Sequence, residues 1–270
     1  MNIENKTILV TGAGSGIGKE IVLALLAKGA KVAAVDMREE TLEELKKIVG
    51  EKADQVSTHV ANISDRSAVE SLPNDVIAKQ GNIDGIINVA GIIQPFVKIN
   101  DLEYDAIERV MNVNFYGTLY MVKAFLPELL KRPEAHIVNV SSMGGFLPVP
   151  GQSVYGASKA AVKLLTEGLY AELKDTNVRV SVVFPGATET NIAANSGMKI
   201  PAASKSDSKQ QEFPMLPASE CAKQIIAGVE KNKLQIFTGK DSNMMNMLYR
   251  FNPVFATNLI AKQMKSLLPK

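Results

Sequence analysis

Tyr155 and Lys159 lie four residues apart in a segment where small and apolar residues recur at helical spacing. Residues at this spacing share one face of an α-helix, with their Cβ atoms about 5–6 Å apart. An ammonium this close to a phenol favours the phenolate, so the spacing predicts a Tyr155 pKa below the ordinary value near ~10. Such a tyrosine could exchange a proton with a substrate, although the same pair also occurs on many solvated helix faces.

Ser142 offers a third group for the same chemistry. It follows the apolar run 137–140, which is typical of a buried strand, and a Gly/Pro-rich loop separates it from a predicted helix that begins at Ser153. A serine at a strand end can hydrogen-bond the substrate oxygen that the tyrosine protonates or deprotonates. Ser142, Tyr155 and Lys159 therefore form a candidate acid/base site.

A glycine-rich segment near the N-terminus predicts a phosphate-binding turn. It follows a predicted strand at 7–10, precedes a predicted helix and fits the pattern Thr-Gly-x-x-x-Gly-x-Gly at 11–18. Glycines let the backbone approach a pyrophosphate, and a helix N-terminus offers free N–H donors to that anion. A tight turn without a ligand is the alternative. The residues expected to contact a dinucleotide here are Gly12, Ser15, Gly16, Ile17 and Gly18.

Asp36 directly follows the second predicted strand, 31–35. A carboxylate at this place can accept hydrogen bonds from the adenosine ribose and would repel a 2′-phosphate. Arg38 could offset part of that repulsion, but Ser15 adds no positive charge, so NAD is favoured over NADP. A surface turn or a helix cap is the competing interpretation of Asp36.

Two more predicted strands end in residues suited to a cofactor. The third, 55–60, leads to a segment where an adenine edge could be read, although a helix cap by Ser64 competes with this interpretation. The fourth, 85–89, leads to small residues that let a backbone approach the cofactor. The residues expected at these two ends are Asn62, Ile63, Asn88, Ala90 and Gly91.

The remaining segments complete an α/β pattern. Strands at 135–140, 179–184 and 234–237 alternate with helices at 39–49, 104–130, 153–175 and 220–230. This alternation predicts a doubly wound, seven-stranded parallel sheet, a Rossmann fold, whose ligands bind at the carboxyl ends of the strands. Helix 104–130 should be broken near Asn114, a polar residue in an apolar face that marks either a structural network or a bound water.

The composition is that of an ordinary globular protein. The 270 residues are 46% hydrophobic and 21% charged, and their net charge of +2 argues against a nucleic-acid surface. A single cysteine, Cys221, cannot form an internal disulfide, and no metal site is expected. No apolar signal segment and no apolar run of ~18 residues is visible, so a cytoplasmic protein is expected.

These motifs together resemble those of the short-chain dehydrogenase/reductase family over nearly the whole chain. The resemblance rests on Thr11-Gly-x-x-x-Gly-x-Gly18, Asn88-Val-Ala-Gly91, Asn114, Ser142, Tyr155-x-x-x-Lys159 and Pro185-Gly186-x-x-x-Thr190. Two departures, Val89 in the Asn-Asn-Ala-Gly motif and Asn62 in place of an acidic residue, keep either backbone approach or hydrogen-bonding capacity.

The resemblance implies a role for each of these residues. Tyr155 would be the general acid/base, Lys159 would lower its pKa and bind the nicotinamide ribose, and Ser142 would orient the carbonyl or carbinol. Asn114 would hold a water in a proton relay. The nicotinamide carboxamide would contact the segment 185–190, through Pro185, Gly186, Thr188 and Thr190.

The segment 192–217 is polar and long, and in this family the corresponding region closes over the substrate. With this loop, five apolar residues would line the substrate pocket: Ile93, Met143, Phe146, Leu147 and Val149. Their character favours a ketone or secondary alcohol on an apolar skeleton. Packing of Phe146 and Leu147 beneath the loop is the alternative.

Residues 1–240 are thus expected to form one dehydrogenase domain, followed by a helical extension at 241–270. Apolar residues recur at helical spacing in this extension, with Lys and Arg between them. It could pack on its own domain, on a neighbouring subunit or on an anionic membrane surface. Apolar residues on several faces of helices 104–130 and 153–175 predict a homodimer or homotetramer, because the family associates through the matching pair.

The leading hypothesis is an oxidoreductase that transfers a hydride between NAD(H) and a secondary alcohol or ketone. A second enzymatic hypothesis is the NADPH-dependent reduction of 3-oxoacyl thioesters, which Asp36 disfavours. A hypothesis from another class is a non-catalytic dinucleotide-binding redox sensor, against which the intact Asn, Ser, Tyr and Lys set argues.

Overall fold

A computed structural model describes residues 1–197 and 215–264, and within these ranges a seven-stranded parallel sheet forms the centre of the molecule. Its strands run in the order β3-β2-β1-β4-β5-β6-β7. Their bounds are β1 Thr7–Thr11, β2 Lys31–Asp36, β3 Val56–Val60, β4 Gly85–Asn88, β5 Ala135–Val140, β6 Val178–Pro185 and β7 Gln235–Thr238. The predicted single-domain Rossmann fold is confirmed.

Helices cover both faces of this sheet. Their bounds are α1 Gly16–Ala27, α2 Glu39–Val49, α3 Arg66–Gln80, α4 Tyr104–Met111, α5 Thr118–Leu130, α6 Ser153–Leu173, α7 Ile192–Asn195, α8 Ala218–Glu230, α9 Lys240–Phe251 and α10 Pro253–Gln263. Helices α1, α2 and α8 pack on one face, and α3, α5 and α6 pack on the other. Because both faces are covered, strands such as β1 and β5 are buried along their whole length, which explains their continuous apolar runs.

The order of the strands brings the candidate residues to one edge of the sheet. β1 pairs with both β2 and β4. The strand order therefore reverses beside β1: β2 and β3 lie on one side of it, and β4 to β7 lie on the other. In open parallel sheets, ligands bind at the carboxyl ends of the strands next to such a reversal. The glycine-rich turn after β1, Asp36 at the end of β2 and the segment after β4 therefore surround one crevice.

Two local features can be compared with the sequence-based interpretations. The cap of α3 is Asp65, whose Oδ1 accepts hydrogen bonds from the backbone N–H groups of Ser67 at 2.9 Å and Ala68 at 3.4 Å. The competing interpretation of Ser64 as a helix cap is therefore wrong, because the Ser64 hydroxyl donates to Asn62 Oδ1 at 2.8 Å instead. The predicted break in helix 104–130 is a π-helical turn at Asn112–Gly117 that joins α4 to α5.

The helices α9 and α10 form a satellite core beside the loop that follows β5. Met245, Ala256 and Ile260 pack around Leu147, which is fully buried. The opposite side of these helices leaves large apolar side chains exposed: Met244, Met247, Phe251, Val254 and Phe255. The inner face of the extension thus packs on its own subunit. No helix of the described residues is long and apolar enough to cross a membrane.

Candidate active site

Ser142 and Tyr155 meet beyond the carboxyl end of β5. Ser142 begins the short 3₁₀ turn Met143–Gly145, and its Oγ accepts a hydrogen bond from the backbone N–H of Gly144 at 3.0 Å. Tyr155 projects from the first turn of α6 towards the same place: a Cβ built on Gly144 would lie 3.5 Å from Ser142 Oγ and 3.4 Å from Tyr155 Cε1. The structure therefore brings together a hydroxyl that can hold a substrate oxygen and a phenol that can exchange its proton.

Lys159 lies one turn further along α6 and is 3% exposed. Its Nζ donates a hydrogen bond to the backbone carbonyl of Val140 at 2.9 Å. The adjacent Ser141, which the sequence analysis did not identify, donates its hydroxyl to the Lys159 carbonyl at 2.7 Å. These two contacts tie α6 to the end of β5 and fix the direction of the lysine side chain.

The pKa of Tyr155 shifts in the direction opposite to the one expected from the sequence. Burial raises the pKa of Tyr155 above its ordinary value, and the hydrogen bond from Ser142 only partly opposes this effect. Burial also lowers the pKa of Lys159 to about 8. The expected lowering of the Tyr155 pKa is therefore wrong for the chain by itself, because desolvation outweighs the effect of neighbouring groups and the ammonium is directed at Val140.

Asn114 is fully buried in the π-helical turn. Its Oδ1 accepts from the Ile92 N–H at 2.9 Å, and its Nδ2 donates to the Ile92 carbonyl and to Ser158 Oγ, both at 2.9 Å. Both amide protons are thus used, so the side chain can bind a further group only as an acceptor. A Cβ on Gly91 would lie 3.1 Å from Lys159 Nζ and 3.2 Å from Asn114 Oδ1, so a glycine is required between them.

A cleft of about 320 Å³ lies at the reversal of the sheet. Most of the residues predicted to bind a dinucleotide line it: Gly12, Ser15, Gly16, Ile17, Gly18, Asp36, Asn62, Ile63, Ala90, Gly91 and Thr190. Gly12 has φ of 66°, and a Cβ there would lie 3.0 Å from the Cα of Ala90, so this turn requires a residue without a side chain. The shape of this turn fits the close approach of a pyrophosphate.

Asp36 is 7% exposed and lies on the wall of this cleft. Its Oδ2 accepts from the Gly14 N–H at 3.0 Å and its Oδ1 from the Arg38 N–H at 3.1 Å, while the Arg38 guanidinium lies 3.9 Å from Oδ1. Each carboxylate oxygen has a second lone pair to offer. These acceptors fit the hydroxyl groups of a ribose.

Six of the predicted cofactor residues lie apart from the cleft lining: Asn88, Tyr155, Lys159, Pro185, Gly186 and Thr188. Asn88 donates its amide to Asn139 Oδ1 at 2.9 Å in the interior of the sheet. Pro185 and Gly186 end β6, where the Asp241 carboxylate accepts from the Ala187 N–H at 2.8 Å. Asp241 belongs to α9, and nothing in its sequence context indicates this contact, because the two segments are brought together only by packing.

The described start of the substrate loop contacts both sides of the cleft. Asn195 donates its side-chain amide to Ser15 Oγ at 3.0 Å, and Ser196 Oγ accepts from the Ile93 N–H at 3.0 Å. Neither residue was identified from the sequence, since both lie in a segment without a motif. The rest of the predicted lid, 198–214, lies outside the described residues.

The five predicted substrate residues fall into two groups. Ile93 and Val149 lie on segments beside the start of α6, and Val149 accepts the Gln152 N–H at 3.0 Å through its carbonyl. Leu147 is fully buried against α9 and α10, with Met143 and Phe146 packed against the same cluster. The Phe146 ring also meets Phe184 edge to face, with centroids 5.5 Å apart. Phe146 and Leu147 thus pack against the C-terminal helices, and Phe146 also packs against β6.

Comparison with protein families and relatives gives a consistent result. The family model described as short chain dehydrogenase matches residues 6–200. Protein SadH of Mycobacterium tuberculosis is 31% identical over 279 residues, which cover 99% of this chain and 98% of SadH. The 3-oxoacyl-(acyl-carrier-protein) reductase FabG of Thermotoga maritima is 38% identical over 192 residues, which cover 70% of this chain and 77% of FabG.

Solved structures share the fold. A short-chain dehydrogenase/reductase of Burkholderia phymatum in complex with NAD superposes with a TM-score of 0.83 and 23% identity, over 94% of this chain and 96% of that chain. A short-chain dehydrogenase of Burkholderia cenocepacia in complex with NADP superposes with a TM-score of 0.80 and 26% identity, over 96% of this chain and 99% of that chain. Both dinucleotides therefore occur among proteins of this fold.

Proposed function

Because the chain belongs to the short-chain dehydrogenase/reductase family, we propose that it transfers a hydride between NAD(H) and a secondary alcohol or ketone. One observation carries this proposal. The Ser142 hydroxyl, the Tyr155 phenol and the Lys159 ammonium converge at the end of β5, next to a cleft whose glycine-rich turn fits a pyrophosphate. A merely dinucleotide-binding sensor has no need of this convergence.

Each of these side chains has its own role in the proposed proton transfer. Tyr155 gives a proton to the carbonyl oxygen during reduction or takes it from the hydroxyl during oxidation, and Ser142 holds the same oxygen by a hydrogen bond. The nicotinamide supplies the hydride chemistry and, when oxidised, a positive charge. Lys159 adds the charge of its ammonium on the same helix face. Asn114 offers Oδ1 as an acceptor to a water that could relay the proton.

The cofactor proposal is NAD in preference to NADP. Asp36 supports it, because a buried carboxylate beside the cleft accepts hydrogen bonds from ribose hydroxyls and repels a 2′-phosphate. Arg38 approaches that carboxylate only to 3.9 Å, and its side chain is 41% exposed, so solvent screens part of its opposing charge. Thr190, which follows β6 and lines the cleft, is the proposed hydroxyl donor to the carboxamide, whereas the Thr188 hydroxyl donates to the Gly186 carbonyl at 3.1 Å.

The substrate proposal is a ketone or alcohol with an apolar skeleton. Support comes from Ile93, Met143 and Val149, which lie on segments that flank Ser142 and the start of α6. A second candidate, 3-oxoacyl thioester reduction, is favoured by the 38% identity with FabG. This second reaction would use the same Ser142 and Tyr155, but Asp36 opposes NADPH as its reductant.

We also propose that the protein forms a homodimer or homotetramer. Apolar side chains remain exposed on the outer faces of α5 and α6, with Leu164 70% and Tyr170 46% exposed. Burial of such side chains against a second copy would stabilise an oligomer.

The extension α9–α10 is proposed as part of the same domain. Its inner face packs on Leu147, and Asp241 in its first turn accepts a hydrogen bond from the Ala187 N–H.

A turnover panel tests the proposed function directly. Purified protein is assayed with secondary alcohols, ketones and a 3-oxoacyl thioester, each with the NAD and NADP cofactor pairs. We expect NAD(H)-dependent turnover of an apolar alcohol or ketone. Preferred turnover of the thioester with NADPH would favour the second candidate, and tight NADH binding without turnover of any compound would favour the sensor.

A further inference from the structure

Gln94 lies three residues after Gly91 on the segment that leaves β4, and its side chain is fully buried. We infer that Gln94 is a positioning residue for Tyr155, because it caps the N-terminus of the catalytic helix α6 with its side-chain oxygen. This inference rests on the proposed acid/base role of Tyr155. It adds a residue that belongs to none of the sequence motifs discussed above.

The first turn of α6 has no cap from its own sequence. Its N-cap residue, Gln152, makes no side-chain hydrogen bond to the helix. Instead, Gln94 Oε1 accepts from the Val154 N–H at 2.8 Å and from the Tyr155 N–H at 3.0 Å. The first N–H groups of a helix have no partner within it, so an acceptor supplied from elsewhere stabilises the helix end. Here the acceptor binds the backbone of the catalytic tyrosine itself.

The Gln94 amide is held in one orientation by its remaining contacts. Its Nε2 donates to the Gly151 carbonyl at 3.0 Å, and its backbone carbonyl accepts from Gln152 Nε2 at 2.7 Å. A flipped amide would present N–H groups to the N–H groups of Val154 and Tyr155. The orientation with Oε1 towards α6 is therefore the only one that satisfies both ends of the side chain.

The backbone that carries Gln94 is also fixed. Asn114 binds both the N–H and the carbonyl of Ile92, and Ser196 accepts the N–H of Ile93. Three successive residues thus contact the π-helical turn, the start of the substrate loop and the start of α6. The position of Tyr155 is therefore set by a series of hydrogen bonds that begins at the end of β4.

These hydrogen bonds are important because the Tyr155 side chain must lie beside Ser142, which belongs to a different segment of the chain. The two side chains lie next to each other beside Gly144, and they do not share a helix. Displacements of about 1 Å in such a site can reduce turnover by about a hundredfold. Loss of the cap should therefore lower turnover without removing any group that touches the substrate or the cofactor.

Gln94→Leu removes the acceptor, whereas Gln94→Glu keeps an acceptor towards α6 and, when protonated in this buried site, can still donate to the Gly151 carbonyl. We expect Gln94→Leu to lower kcat by about ten- to a hundredfold with less than about a threefold change in the KM for NAD. Gln94→Glu should recover most of kcat. Gln235→Leu is the control, since it removes an amide that donates to Glu167 Oε1 of α6 at 2.8 Å, far from the first turn of that helix, and it should lose less than about threefold.

The pKa of Tyr155, measured by NMR on isotope-labelled tyrosine and assigned with Tyr155→Phe, gives a readout without turnover. In Gln94→Leu this pKa should rise by about half a unit or more, because the phenol would move away from the Ser142 hydroxyl, whose proximity lowers the pKa. Gln235→Leu should leave it unchanged. If the wild-type protein turns over nothing, the proposed function fails, and this titration still decides the role of Gln94. A folded Gln94→Leu variant with wild-type kcat and Tyr155 pKa, or an equal loss in Gln235→Leu, would overturn the inference.

Discussion

The ammonium of Lys159 donates a hydrogen bond to the carbonyl oxygen of Val140, 2.9 Å away, at the end of β5. Both groups are buried, and burial lowers the lysine pKa to about 8. The lysine charge is therefore held by the strand that leads to Ser142, one helical turn from Tyr155. We propose that from this position the ammonium acts on Tyr155 once substrate and cofactor are bound, and that it contacts the cofactor ribose.

Lys159→Met should change the pH dependence of alcohol oxidation. Oxidation needs the Tyr155 phenolate, so its rate rises with pH through the kinetic pKa of the tyrosine. Removal of a nearby positive charge disfavours the phenolate, so we expect this kinetic pKa to rise and kcat at neutral pH to fall by about tenfold or more. The KM for NAD should rise as well, because a ribose contact is lost.

The control for that variant is Lys163→Met, which removes a lysine of the same helix that is paired with Glu167 at 2.9 Å. Profiles of kcat/KM against pH for the three proteins decide the question. A Lys159→Met profile that overlies the wild-type profile would show that the lysine does not tune the tyrosine.

Asp36→Ala should reduce the discrimination between the two dinucleotides. The carboxylate lies on the wall of the cleft, and its removal relieves repulsion of a 2′-phosphate while it also removes acceptors for the ribose. We expect the ratio of kcat/KM for NADH to that for NADPH to fall by about tenfold or more. The exposed Asp54→Ala serves as the control. A wild-type protein that prefers NADPH would contradict the cofactor proposal.

The strands and the motif residues were predictable because each depends on local sequence. The bounds of β5 and α2 agree with the prediction to the residue, since a buried strand and an amphipathic helix carry their own periodicity. Ser142 and Tyr155 were predicted to contact one substrate oxygen, and the structure places both side chains beside Gly144.

Contacts between distant segments could not be predicted in this way. Gln94 reaches Val154 across 60 residues, and Asp241 reaches Ala187 across 54, through packing that no local pattern encodes. The direction of the Tyr155 pKa was wrong for the same reason, because the depth of burial that raises it arises from the whole fold.

Two buried histidines should make the fold sensitive to mild acid. Burial lowers the pKa of His136 to about 3 and, with the nearby charge of Lys79, that of His59 to about 4. In the unfolded chain both titrate near ~6.5, so below that pH the unfolded state binds more protons than the folded state. The free energy of unfolding should therefore fall as pH falls below ~6.5, by up to ~1.4 kcal/mol per pH unit for each histidine.

Urea denaturation between about pH 7 and pH 5 measures this slope in a range where most carboxylates stay ionised. His136→Gln should make the slope shallower, since it removes one of the two groups. A free energy of unfolding that is independent of pH over this range would show that the histidines are protonated in the folded protein.

Leu164→Glu should dissociate the proposed oligomer. Leu164 is 70% exposed on α6, and a carboxylate placed there would have to be desolvated in an interface between copies. Lys174→Glu, at the exposed end of the same helix, controls for added negative charge. Sedimentation velocity at micromolar concentration should show a dimer or tetramer for the wild type and for the control. A stable wild-type monomer would contradict the proposal.

The most direct test of the proposed function is the turnover of Tyr155→Phe. This change keeps the ring and removes the hydroxyl that we propose to exchange a proton with the substrate, while the glycine-rich turn and Asp36 stay in place. We expect kcat to fall by ~10²- to 10⁴-fold, with the Kd for NADH within about threefold of the wild-type value. Near-normal turnover of an alcohol or ketone by Tyr155→Phe would contradict the mechanism.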